Sequence, residues 1–127
     1  MNEKQCFAVV NYFHDYRPDE FHHGDCIGAD RQAHDLMRVT FPFTCVIHGH
    51  PPINDRKRAF CKCDMWYEAK DYIPRNHAIV DATDRLLAVT RTYDEEQRSG
   101  TWATIRYAIK VGKPVFIIRP DGVVRHS

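Results

Sequence analysis

The stretch from Leu86 to Gly122 constrains the fold more than any other part of the chain. Leu86-Leu-Ala-Val-Thr90 reads as a buried strand. Ser99-Gly100-Thr101 opens a helix whose Trp102, Ile105 and Ile109 share one face. Gly112-Lys-Pro114 closes that helix, and Val115-Phe-Ile-Ile118 reads as a second buried strand. Two strands with a helical crossover between them form a βαβ unit, which requires the strands to be parallel. The chain is thereby expected to be α/β. The Ser99–Thr101 corner also carries chemistry. The first amides of a helix have no internal partner, glycine lets backbone approach a ligand, and Ser or Thr hydroxyls cap the turn or bond a phosphate.

The chain has 127 residues, enough for one compact domain with a core, and we expect a single domain over 1–127. Formal net charge is +1, without the basic excess that drives binding by phosphate neutralisation, so a nucleic-acid partner is not expected. No apolar run is long enough to cross a membrane, and the N-terminus has no signal-peptide pattern. Five cysteines without framework spacing argue against a disulfide-stapled fold. The expected setting is cytoplasmic.

Along the chain, residues 2–16 show apolar Cys6, Val9, Val10 and Phe13 at helical spacing, and Pro18 ends the run. The rival reading is a strand at Cys6–Val10. Phe21–Gly24 is expected as a short strand entering a turn. Ala29–Phe41 reads as an amphipathic helix with Ala33, Leu36, Met37 and Phe41 inward, and Thr44–His48 as a strand. Residues 51–72 are irregular, and a loop of that length is usually functional or mobile. Pro74 suits the first turn of a helix with Ile79 and Ala82 on its buried face, ended by Asp84. The tail after Gly122 is expected to fray. The sheet is expected to hold four strands.

Several residues invite two readings. His22 and His23 read either as ligand contacts or, since neighbouring strand residues face opposite ways, as one core side chain and one at solvent. Asp25 and Asp30 suit a ribose hydroxyl or a metal-bound phosphate, while Asp30 also suits a helix N-cap. Cys26, Cys61, Cys63, His48 and His50 suggest zinc, but Cys-x-Cys and His-x-His depart from the usual ligand spacings. A site without metal, and no cofactor, is the expectation. Trp66 and Tyr67 read as a base-stacking pair or as a plug under the loop.

Four segments follow one another in a recognisable order: His22-His-Gly-Asp-Cys-Ile-Gly-Ala-Asp30, Tyr72-Ile-Pro-Arg-Asn76, Ser99-Gly-Thr-Trp-Ala-Thr104 and Gly112-Lys-Pro through Gly122. That order resembles the SLOG superfamily of Rossmann-like domains, which contains the Rossmann domain of DNA-processing protein A and the lonely-guy phosphoribohydrolases. The small bacterial and phage members are the most similar. The resemblance covers residues 21–122 and implies a Rossmann-like three-layer sandwich with a mostly parallel sheet. It also implies a nucleotide or nucleotide-derived ligand at the strand ends. The implied binding residues are Gly24, Asp25, Gly28, Asp30, Arg75, Asn76, Ser99, Gly100, Thr101 and Thr104. Gly24 and Gly28 permit a phosphate-approaching turn, and Arg75 offers a bidentate fork.

The phosphoribohydrolases carry a catalytic glutamate three residues after the Gly-Thr pair, where this chain has Thr104. Non-catalytic binding is therefore favoured. The alternatives are an N-glycosidic hydrolase using Asp25, Asp30, Glu95 or Glu96, and a single-stranded nucleic-acid binder using Trp66 and Tyr67. Such relatives begin with a strand that lies centrally, between the Phe21 and Leu86 strands. If residues 2–16 are helical, that strand is missing here. Three outcomes are then open: the true start lies upstream and this is a truncated product, the flanking strands close up and pair directly, or another chain supplies the strand or covers the gap in a homo-oligomer.

Overall fold

A computed structural model describes residues 1–126. The protein is α/β, with helices α1 (Glu3–Tyr16), α2 (Ala29–Thr40), α3 (Tyr72–Asp81) and α4 (Gly100–Lys110). Its strands are β1 (Glu20–His23), β2 (Val46–Gly49), β3 (Met65–Trp66), β4 (Leu86–Val89), β5 (Val115–Ile118) and β6 (Val124–His126). No helix among the described residues is long and apolar enough to cross a membrane.

The N-terminal segment is a helix, as its spacing predicts, not a strand. Asn2 caps it: its side chain accepts from the Gln5 amide at 2.9 Å and its own amide donates to the Gln5 side chain at 3.2 Å, a reciprocal capping box. Arg17 ends it in the left-handed region at φ 42°, just before Pro18. The buried stripe is Gln5, Ala8, Val9, Tyr12 and Phe13. It is rotated from the expected one, because Ala8 and the two rings lie inward while Cys6 and Val10 sit at its margin.

The sheet departs most from expectation. Among the described residues there are six strands, not four, in two separate three-stranded sheets. The first runs β1-β2-β3, all parallel, and the second runs β4-β5-β6, with β6 antiparallel to β5. β3 is only two residues long and grows out of the irregular loop. Asp64 starts the pairing before the ladder does: its amide donates to Ile47 at 2.8 Å and its carboxylate accepts from the Ile47 amide at 2.8 Å. The tail does not fray, because the turn at Gly122 (φ 80°) folds Val124–His126 back onto β5.

β5 is buried on both faces and divides the core. Phe116 and Ile118 pack with Val9, Phe13 and Met37 of α1 and α2. Val115 and Ile117 pack with Val80, Ile105 and Ala108 of α3 and α4. The outer layers explain smaller differences. α3 starts at Tyr72 and stops at Asp81, three residues short of Asp84, and the side chains it buries are Arg75 and Val80. Ile79 is half-buried, and Ala82 lies past the helix and is exposed. On α4 the buried residues are Ile105 and Ala108, while Ile109 is exposed. The strand expected at Thr44–His48 starts two residues later, at Val46.

Candidate functional site

The edge strands β1 and β4 belong to different sheets and do not pair with each other. A cavity of about 290 Å³ lies between them. Phe21, His22 and His23 line one side and Leu86–Val89 the other. No strand fills the space between β1 and β4, which is a cleft among the described residues.

Three segments far apart in sequence deliver polar groups to the cavity. The turn after β1 supplies Gly24 and Asp30, α3 supplies Arg75 and Asn76, and α4 supplies Thr101 and Thr104. Asp25, Gly28, Ser99 and Gly100 do not line it. A larger and more open groove, about 500 Å³, runs between α1 and β6, and none of the ten implied binding residues lines it.

Asp25 does something else. Its side chain is fully buried and makes an ion pair with Arg58, 2.7 Å from Oδ2 to Nε. Its other oxygen accepts from the Cys61 amide at 2.9 Å. Asp25 thus anchors the irregular loop to the end of β1. Its own φ of 51° bends the turn so that its amide donates to His23 Nδ1 at 2.9 Å. Gly28, at φ 106°, is the N-cap of α2 and has open space where a Cβ would be. Asp30 is therefore not the N-cap. It lies in the first turn of α2, and its carboxylate accepts from the Cys26 amide at 3.1 Å. Burial raises its pKa above the usual carboxylate value. It is the one carboxyl group on the cavity wall.

Arg75 is buried. Its NH1 donates to the Gly24 carbonyl at 2.6 Å and its Nε to the Asn76 Oδ1 at 2.8 Å. The guanidinium therefore holds the β1 turn in place as well as facing the cavity. A Cβ at Gly24 would collide with Arg75 NH1, which is why this position takes glycine. At α4, Ser99 is an N-cap whose Oγ accepts from the Trp102 amide at 3.4 Å. Thr104 Oγ1 donates to the Gly100 carbonyl at 2.9 Å. Gly100 meets a side chain that sequence reasoning missed. Tyr72 packs its hydroxyl edge where a Gly100 Cβ would stand, and its ring lies 5.2 Å from the Arg75 guanidinium. No sequence spacing connects positions 72 and 100; only the packing of α3 on α4 does.

The other candidate acids are engaged elsewhere. Glu95 pairs with Arg106 at 2.6 Å, and Glu96 accepts from Thr92 Oγ1 at 3.1 Å. Trp66 and Tyr67 remain partly exposed, with Trp66 lying under the Arg58 guanidinium at 4.8 Å. His22 and His23 point to opposite faces, as the strand alternation requires. His23 is buried against His34 of α2, while His22 stacks on His48 at 4.0 Å between ring centres. No protein-family model, curated protein or solved structure matches the chain.

Proposed function

We propose that the cleft between β1 and β4 binds a nucleotide or nucleotide-derived small molecule, as a Rossmann-like domain of the SLOG type would. The observation that carries this reading is the convergence of Asp30, Asn76, Thr101 and Thr104 on one cavity from three separate segments. The apolar wall of Leu86, Leu87 and Ile79 suits a base, and Asp30 suits ribose hydroxyls. Thr101 and the first turn of α4 suit the phosphate, because helix amides there lack internal partners. The two sides of the cleft come from different sheets, so an occupant would touch both.

The test is calorimetric titration of the full chain with nucleoside monophosphates, the matching nucleosides and inorganic phosphate. The expected result is binding of at least one monophosphate, weakened by Thr101→Val and by Asp30→Asn. Absence of binding by all of them, in folded protein, overturns the reading.

A second reading rests on Asp30. A carboxyl whose pKa is raised by burial resembles the acid of a glycosidic hydrolase, even though Thr104 stands at the glutamate position. Chromatography of monophosphates incubated with the protein separates the two readings. Release of free base that Asp30→Asn abolishes supports hydrolysis, and no release supports binding alone.

A further inference from the structure

The loop that carries Cys61 and Cys63 brings both thiols to a pair of buried histidines, and of this cluster only His23 also lines the proposed nucleotide cleft. His23 Nε2 lies 3.0 Å from His34 Nδ1 and 3.5 Å from Cys63 Sγ. The donor atoms of His23, His34 and Cys61 all lie within 4.8 Å of one another. His23 and His34 are 4% and 5% exposed, so their ring nitrogens have little access to water. In a tetrahedral zinc site with ordinary Zn–N and Zn–S bonds, neighbouring nitrogens lie about 3.3 Å apart, and nitrogen and sulfur about 3.5 Å. The His23–His34 and His23–Cys63 distances are close to these values, while Cys61 completes the trio with the two histidines and Cys63 joins it through His23.

Ring orientation decides between this cluster and a second one. Glu20, His22 and His48 also gather donor atoms within 4.8 Å. There the two imidazoles are stacked with planes 5° apart, so their in-plane lone pairs run side by side and do not meet at one point. His23 and His34 stand at 89° to each other, and one nitrogen of His23 faces both a nitrogen and a sulfur. This perpendicular arrangement, unlike the stacked pair, brings nitrogen and sulfur donors to one nitrogen of His23.

We propose that His23, His34, Cys61 and Cys63 form a tetrahedral site for a borderline-soft divalent cation, with zinc the ion this donor set suits. The site would pin the irregular loop to β1 and α2. Charge supports it: two thiolates neutralise the cation, and Arg58 already neutralises the neighbouring Asp25. Burial holds both thiols protonated in the metal-free protein, their pKa values pushed up to about 12, so uptake of one M²⁺ releases two protons to solvent. Two contacts must change. The Asp25 amide donates to His23 Nδ1, which places the His23 proton on Nε2, where it is donated to His34 Nδ1. Coordination through Nε2 moves that proton to Nδ1 and removes both hydrogen bonds. Losing two neutral hydrogen bonds is small beside the gain from the metal bonds. Oxidation states do not change.

The test is titration of the full chain, thiols reduced, with Co²⁺ as a spectroscopic substitute for zinc. The expected result is one ion per chain, with intense tetrahedral d–d bands and a thiolate charge-transfer band, both removed by Zn²⁺. The Cys61→Ser and His34→Gln changes should each abolish these bands, while Cys6→Ser, on α1, should leave them intact. The Asp25 amide resonance should shift on zinc addition, a readout that does not depend on any variant folding. A folded wild-type chain that gives only weak octahedral bands, or bands that persist in Cys61→Ser, overturns the proposal. These outcomes are independent of nucleotide binding.

Discussion

Asp25 was expected in a ligand site and is instead sealed against Arg58, 33 residues away in sequence. Its carboxylate has no exposure, so removing its partner strands a buried carboxylate, and removing the carboxylate leaves a half-buried guanidinium unpaired. Breaking such a pair costs roughly 3–5 kcal/mol, with the lower end expected here because Arg58 keeps some water contact. Asp25→Ala should therefore lower unfolding stability by about 3 kcal/mol in urea titration. A loss below about 1 kcal/mol would place the pair in the exposed class instead. Gly100 is the second case. A Cβ there meets the Tyr72 hydroxyl and not the cavity, so Gly100→Ala should act by displacing Tyr72. A double-mutant cycle with Tyr72→Ala should show a coupling of about 1 kcal/mol or more. Additive effects would refute the contact. Both side chains illustrate what a sequence hides. Glycine at 100 and aspartate at 25 are legible as special positions, but the residue that makes each one special lies in another segment.

At the scale of elements, legibility followed hydrophobic run length. β4 and β5 are continuous apolar runs, and α1 and α2 carry clear helical stripes, so all four were readable. β3 and β6 are two and three residues long, and all of their residues are exposed. No alternation can be read in so few residues, and each forms only because a neighbouring edge offers a partner. Strands β1 and β2 carry a consequence in their histidines. Burial lowers the pKa of His23 to about 3, and of His22 and of His50, just past β2, to about 4. His34 on α2 is lowered too, again chiefly by burial. In the unfolded chain each returns to about 6.5. Between these values the unfolded state binds more protons, so stability rises with pH across that window. It should be complete above about pH 6.5 and lost progressively as the pH falls toward 4. Asp30, with its raised pKa, works in the opposite direction, but it is one group against four. The urea midpoint should therefore drop between pH 7 and pH 5. A midpoint that held steady or rose would mean the histidines are solvated in solution.

The described residues form two small sheets with a cavity between β1 and β4, held together by helices and by the core around β5. The Leu86–Gly122 unit predicted parallel strands β4 and β5 correctly, and β1 with β2 extends the same logic to the other half. What could not be read was whether the halves join, because that depends on pairing between β1 and β4 and not on either strand alone. The answer has a mechanical meaning. Without a ladder across the cleft, cohesion between the halves rests on side-chain packing and on side-chain hydrogen bonds such as Arg75 to the Gly24 carbonyl, and a ligand that touches both sides adds to it directly. Asp30 comes from the β1 side, and Thr101 and Thr104 come from the β4 side. A ligand that binds only the native state stabilises it by about 2.7 kcal/mol at a concentration a hundred times its dissociation constant. In a chain of this size that corresponds to a rise in melting temperature of roughly 5–15 °C. The distinguishing measurement is hydrogen exchange with a saturating nucleoside monophosphate. Amides of β1 and β2 and those of β4 and β5 should gain protection together, because the occupant bridges both sheets. Protection confined to β4, β5 and α4 would place the ligand on the Ser99–Thr101 corner alone, and the cleft would then not be the binding site.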